Sequence, residues 1–132
     1  MTTTQATSSS VAHFHAQSAY EISPRELMTA LEGSPDSVFL VDIQDPDIFD
    51  AGHVPGARNV HLEDLCIACA ELPHDRTIVL YCGDVTCGLP LWAVLELAQE
   101  GFSAKYLRGG FAEWVQESLP VESSPPAPQP EY

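Results

Sequence analysis

Residues 77–88 read Thr77-Ile78-Val79-Leu80-Tyr81-Cys82-Gly83-Asp84-Val85-Thr86-Cys87-Gly88. The first five form a continuous apolar run, which suits a strand buried on both faces. Beyond the loop, a mostly apolar stretch from Leu89 to Gln99 predicts a helix that closes at Gly101, well placed for a left-handed cap. The segment therefore leaves a buried strand and enters a helix. In open parallel sheets that C-terminal strand edge is where loops and helix N-termini gather reactive groups. Gly83 and Gly88 can take backbone angles closed to other residues, so consecutive N–H groups could turn inward around the Cys82 sulfur. Those dipoles and the helix N-terminus predict a thiolate, the form of cysteine that attacks electrophiles.

Outward from this segment, strand and helix signals alternate. Val38-Phe39-Leu40-Val41 is a second short apolar run, and Ala104–Leu107 reads as another strand. Ser23-Pro24-Arg25-Glu26 is a capping box with Pro at the first helical position, starting a helix that ends near Gly33. Leu62, Leu65, Cys66, Cys69 and Leu72 fall at helical spacing, and Phe111–Gln116 closes the series as a short helix. Elements of this length and order imply an α/β fold, a parallel sheet with helices on both faces. Residues 1–18 carry no charged side chain and residues 123–132 contain four prolines, so both read as flexible tails around a body of 19–122.

The chain has 132 residues, with 19 acidic and 5 basic side chains and a formal charge of −14. Five scattered cations cannot replace the counterions of a nucleic acid, and an anionic membrane surface repels the chain. No apolar run approaches the ~20 residues needed to cross a bilayer. The start of the sequence lacks the features of a secretory or mitochondrial leader, which makes the cytoplasm the default location. The four cysteines, Cys66, Cys69, Cys82 and Cys87, are too few and too bunched for a disulfide scaffold.

Three separated motifs, in order, carry a family resemblance. Val41-Asp42-Ile43-Gln44 through Phe49, then Gly52-His53-Val54-Pro55-Gly56-Ala57 and Asn59-Val60, resemble the first signature of rhodanese-like domains. Tyr81-Cys82 resembles their active-site strand and cysteine. Gly109-Gly110-Phe111-Ala112-Glu113-Trp114, followed by Leu119-Pro120-Val121, resembles their closing signature. The resemblance implies a three-layer fold with a central five-stranded parallel sheet. It also implies a single-domain sulfurtransferase in which Cys82 takes sulfane sulfur as a persulfide and passes it to a thiol or cyanide. Two departures stand out: Gln44 and Cys87 occupy positions where the family often carries Arg. Phosphatases and arsenate reductases of this fold need a longer loop closing with Arg, and here the sixth position after Cys82 is Gly88.

The candidate site is therefore Cys82 as nucleophile in the loop Gly83, Asp84, Val85, Thr86, Cys87 and Gly88, with Asp42 and Arg58 in support. Cys87 reads equally as a resolving thiol or as a small apolar residue at the helix start. Cys66-x-x-Cys69 resembles half a zinc site in spacing, but its place on an apolar stripe favours packing, so neither metal nor cofactor is expected. His53 and Trp114 read as structural. No cation falls between Arg76 and Lys105, which disfavours a dianionic donor such as thiosulfate unless Arg58 or another distant residue folds toward the mouth. Expected partners are a small sulfur donor and a glutathione or thioredoxin-like thiol acceptor, and the oligomeric state is unknown from sequence. The alternative function is a non-catalytic binding module, or a redox or persulfide sensor using Cys82 and Cys87.

Overall fold

The Ser23 hydroxyl accepts from the Glu26 N–H at 3.1 Å while the Glu26 carboxylate accepts from the Ser23 N–H at 2.9 Å. This reciprocal cap, with Pro24 next to it, starts the first long helix at the residue the sequence predicts. The computed structural model describes residues 19–67, 72–83 and 87–123. Its elements run β1 (Glu21–Ile22), α1 (Pro24–Gly33), β2 (Val38–Asp42), α2 (Pro46–Ala51), β3 (Arg58–Asn59), α3 (Leu62–Ile67), β4 (Thr77–Tyr81), α4 (Leu89–Gln99), β5 (Ser103–Leu107) and α5 (Gly110–Gln116). The five strands form one sheet in the order β1-β5-β4-β2-β3, every neighbouring pair parallel.

Strand alternation divides the core between two faces. Ile78 and Leu80 of β4, with Val41 and Ala104 beside them, meet Ala93, Val94 and Leu97 of α4 and Leu65 of α3. Val79 and Tyr81, with Leu40 and Leu107, meet Leu27 of α1 and the fully buried Trp114 of α5. Helices thus cover both faces, which is why β2 and β4 read as unbroken apolar runs rather than alternating ones. Gly101, at φ +89°, ends α4. Its N–H donates to the Ala98 carbonyl at 3.1 Å and the Phe102 N–H to the Leu97 carbonyl at 3.1 Å, the paired bonds of a Schellman cap.

The strands β1 and β3 have two residues each, too short to show as hydrophobic runs. Helix α3 is described as far as Ile67 and residues 68–71 lie outside the described residues; Leu72, the last residue of the helical spacing, packs into the same core from a bend. Cys69, the side chain of Cys66 and residues 1–18 and 124–132 lie outside the described residues. No helix among the described residues is long and apolar enough to cross a membrane.

Leu80 is fully buried in the central strand. Leu80→Ala should destabilise the domain by about 3 kcal/mol through lost burial and the cavity left behind. Urea unfolding with an unchanged m-value checks this.

Candidate active site

The C-terminal end of β4 must satisfy polar groups in a dry setting. The Tyr81 hydroxyl accepts from the Val54 N–H at 2.9 Å and hydrogen-bonds the Asp42 carboxylate at the end of β2. That carboxylate also accepts from the Gln44 N–H at 2.7 Å and from Gln44 Nε2 at 3.1 Å. From β3, Asn59 Nδ2 donates to the backbone carbonyls of Asp42 at 3.1 Å and Gln44 at 2.8 Å. Burial raises the Asp42 carboxyl above its ordinary range in spite of these bonds, and it pushes the Tyr81 hydroxyl up as well.

Cys82 follows Tyr81, held by the first turn of α5. The Phe111 N–H donates to the Cys82 carbonyl at 2.9 Å and the Ala112 N–H to the Gly83 carbonyl at 2.8 Å. Two donors that a helix start leaves without partners are thereby satisfied. Bringing the helix in this way takes a tight turn in which Gly109 and Gly110 both adopt left-handed angles, φ +73° and +64°.

Two expectations about the cysteine loop are corrected. Gly88 has φ −87°, and Gly83 also lies outside the left-handed region. The reason for glycine at 83 is instead close approach: a Cβ there would lie 3.2 Å from Gln44 Oε1. Nor is the resting thiol shifted toward thiolate. Burial pushes the half-buried Cys82 up to about 12, and a hydrogen bond with the Cys87 thiol and the nearby Asp42 add to this. The Gly83 N–H acts in the opposite direction but does not overcome desolvation. Asp84, Val85 and Thr86 lie outside the described residues.

Cys82 and Cys87 open into a cleft of about 280 Å³ walled by Pro90, Leu91, Tyr106 and Leu107. Arg108 reaches its mouth from the end of β5 and donates through Nε at 3.0 Å and Nη2 at 2.8 Å to one Glu113 oxygen. Glu21 lines the same cleft and accepts from the Tyr106 hydroxyl at 2.8 Å. The mouth therefore carries a cation despite the gap between Arg76 and Lys105, but two carboxylates accompany it. Sequence reasoning applied the strand-end rule to β4 and not to β5, where the same rule points to Arg108.

A profile of the Rhodanese-like domain matches residues 23–117. This chain belongs to the rhodanese-like domain family. It is 38% identical over 89 residues to an HTH-type transcriptional regulator of Mycobacterium tuberculosis, covering 67% of this chain and 39% of the regulator. It is 32% identical over 102 residues to a sulfurtransferase of Allochromatium vinosum, covering 76% of this chain and 92% of that protein. A crystal structure of a Bacillus halodurans protein superposes with a TM-score of 0.77 at 24% identity, over 89% of this chain and 86% of that one. The chain spans well under half the length of the mycobacterial relatives it matches.

Within this rhodanese-like domain the remaining expected residues separate. Arg58 stacks over the Phe39 ring at 4.8 Å from its centre and is not among the residues lining the Cys82 cleft. His53 is buried and structural: Nδ1 lies 2.7 Å from the Phe49 carbonyl, the ring stacks on Phe49 at 3.8 Å, and its backbone pairs with Glu122. Trp114 donates from Nε1 to the Pro120 carbonyl at 2.7 Å.

The pH dependence of Cys82 alkylation by iodoacetamide, followed by mass spectrometry, should rise well above the ordinary thiol range toward pH 12. Cys87→Ala removes a hydrogen bond that holds the proton, so the profile should move to lower pH. A wild-type midpoint below that of a free cysteine would contradict this account.

Proposed function

We propose that this domain is a sulfurtransferase that carries sulfane sulfur on Cys82. The supporting observation is a half-buried cysteine at the end of the central strand, opening into a cleft beside a second thiol. The family membership and the similarity to the Allochromatium sulfurtransferase agree with this reading. In the first step Cys82 sulfur attacks the outer sulfur of a persulfide R–S–SH; the S–S bond breaks, and R–S⁻ leaves and takes up the thiol proton. The products are Cys82–S–SH and RSH. In the second step an acceptor thiolate attacks the outer sulfur, regenerating Cys82 and forming the acceptor persulfide; cyanide in the same role leaves as thiocyanate.

The electrostatics favour a donor of low charge. Burial and Asp42 already oppose negative charge on Cys82, so a dianion entering the cleft adds to an unfavourable field. Arg108 offers partial relief, but Glu113 holds it and Glu21 stands nearby. An uncharged organic persulfide should therefore load Cys82 faster than thiosulfate does. Intact-mass measurement should find one added sulfur atom on wild type and none on Cys82→Ala. Equal labelling of both, or no labelling by any donor, would reject the assignment.

The hydrogen bond between Cys82 and Cys87 supports a second reading, a persulfide sensor. Cys87–SH can attack the inner sulfur of Cys82–S–SH, giving a Cys82–Cys87 disulfide and hydrogen sulfide. In a Cys66→Ser, Cys69→Ser background, loading followed by thiol counting should then show loss of both remaining thiols with release of sulfide. Two persistent thiols would exclude the bridge.

A further inference from the structure

A surface helix usually shows one apolar stripe toward the core and a polar face toward water. Helix α4 departs from this. Ala93, Val94 and Leu97 fill the core face, yet Leu91, Trp92 and Leu95 are 42%, 51% and 42% exposed on the other side. At i, i+3 and i, i+4 spacing, Trp92 and Leu91 both neighbour Leu95, so the three form one ridge. The ridge separates two hollows of about 280 Å³ each. On one side Leu91 is a wall of the Cys82 cleft, and on the other Trp92 joins Leu62 and Leu97 in an apolar groove rimmed by Glu96 and Glu100.

An exposed tryptophan between two leucines is the composition of an interface hot spot. The surrounding charge narrows the occupant. The groove rim carries Glu96 and Glu100, the cleft mouth carries Glu21, and Arg108, the one cation lining either hollow among the described residues, is held by Glu113. A second copy of a chain with a formal charge of −14 meets like charge across this face. A basic partner does not.

We propose that the α4 ridge docks the protein with which Cys82 exchanges sulfur, through a segment that presents its cysteine beside apolar residues flanked by lysine or arginine. Leu91, Trp92 and Leu95 would bury against the apolar residues, the acidic rims would pair with the cations, and the shared wall at Leu91 would bring the partner's cysteine to the Cys82 cleft. The proposal rests on the sulfurtransferase reading above and adds the class of partner.

The test compares two synthetic cysteine peptides with the same apolar residues, one flanked by lysines and one by glutamates, as acceptors from persulfidated full-length protein, with mercaptoethanol as the small-thiol control. The lysine peptide should accept sulfur about tenfold faster than the glutamate peptide, with the ratio shrinking as salt is added. Trp92→Ser with Leu95→Ser should abolish the advantage while transfer to mercaptoethanol is unchanged, and Glu96→Lys with Glu100→Lys should diminish or reverse the preference. Equal rates for the two peptides, or an advantage that survives both pairs of substitutions, would overturn the proposal. A dimer in sedimentation that Trp92→Ser dissolves would also overturn it, assigning the ridge to a second copy. Failure of transfer to mercaptoethanol as well would reject the sulfurtransferase reading itself.

Discussion

Two hydrogen bonds fix the chemistry of this domain: those from the Phe111 and Ala112 amides to the carbonyls of Cys82 and Gly83. They join the end of the central strand to the start of the last helix, two places 29 residues apart along the chain. Because the strand end is buried, its carbonyls need partners, and a helix start is one of the few backbone structures with unpaired donors to give. The Gly109-Gly110 turn exists to deliver that helix start. Arg108 then stands at the cleft mouth because it is the residue immediately before the turn, and Glu113 meets it because it lies one helical turn beyond.

The same burial that steadies Cys82 sets its reluctance to ionise. A thiol that keeps its proton at rest is protected from casual oxidants, since the thiolate is the reactive form. Beneath it, Asp42 is held by Gln44 and Tyr81 without a cation in direct contact among the described residues. The neutral Gln44 side chain thus meets the buried carboxyl with hydrogen bonds in place of an ion pair. The result is a site that opposes accumulation of negative charge.

Much of this was legible in the sequence because it is written locally. The cap at Ser23, the core strands and the span of α4 each depend on neighbours in the chain, and each falls where its residues indicate. What sequence could not give depends on distant groups. The basicity of Cys82 turns on burial and on Asp42 across the fold, with Cys87 of its own loop adding to it. Gly83 lies close against the Gln44 side chain rather than in a left-handed turn. The absence of cations between Arg76 and Lys105 left a cation at the mouth to a distant residue, and the sheet, by placing the end of β5 next to the end of β4, brings Arg108 there. The edge strands β1 and β3 are too brief to carry a hydrophobic period, and only pairing defines them.

The position of β1 at the sheet edge has a further consequence. Glu21 and Ile22 find their hydrogen-bonding partners at Tyr106 and Leu107, near the far end of the domain. During synthesis the first strand emerges from the ribosome long before β5 exists. The β2–β3 and β2–β4 pairings can form while this segment waits, whereas registration of the amino-terminal strand, like the β4–β5 pairing, is left until β5 has been made. Glu21, which lines the cleft beside Cys82, comes into place with it. Completion of the fold and completion of the Cys82 cleft are thus one late event in the life of the nascent chain.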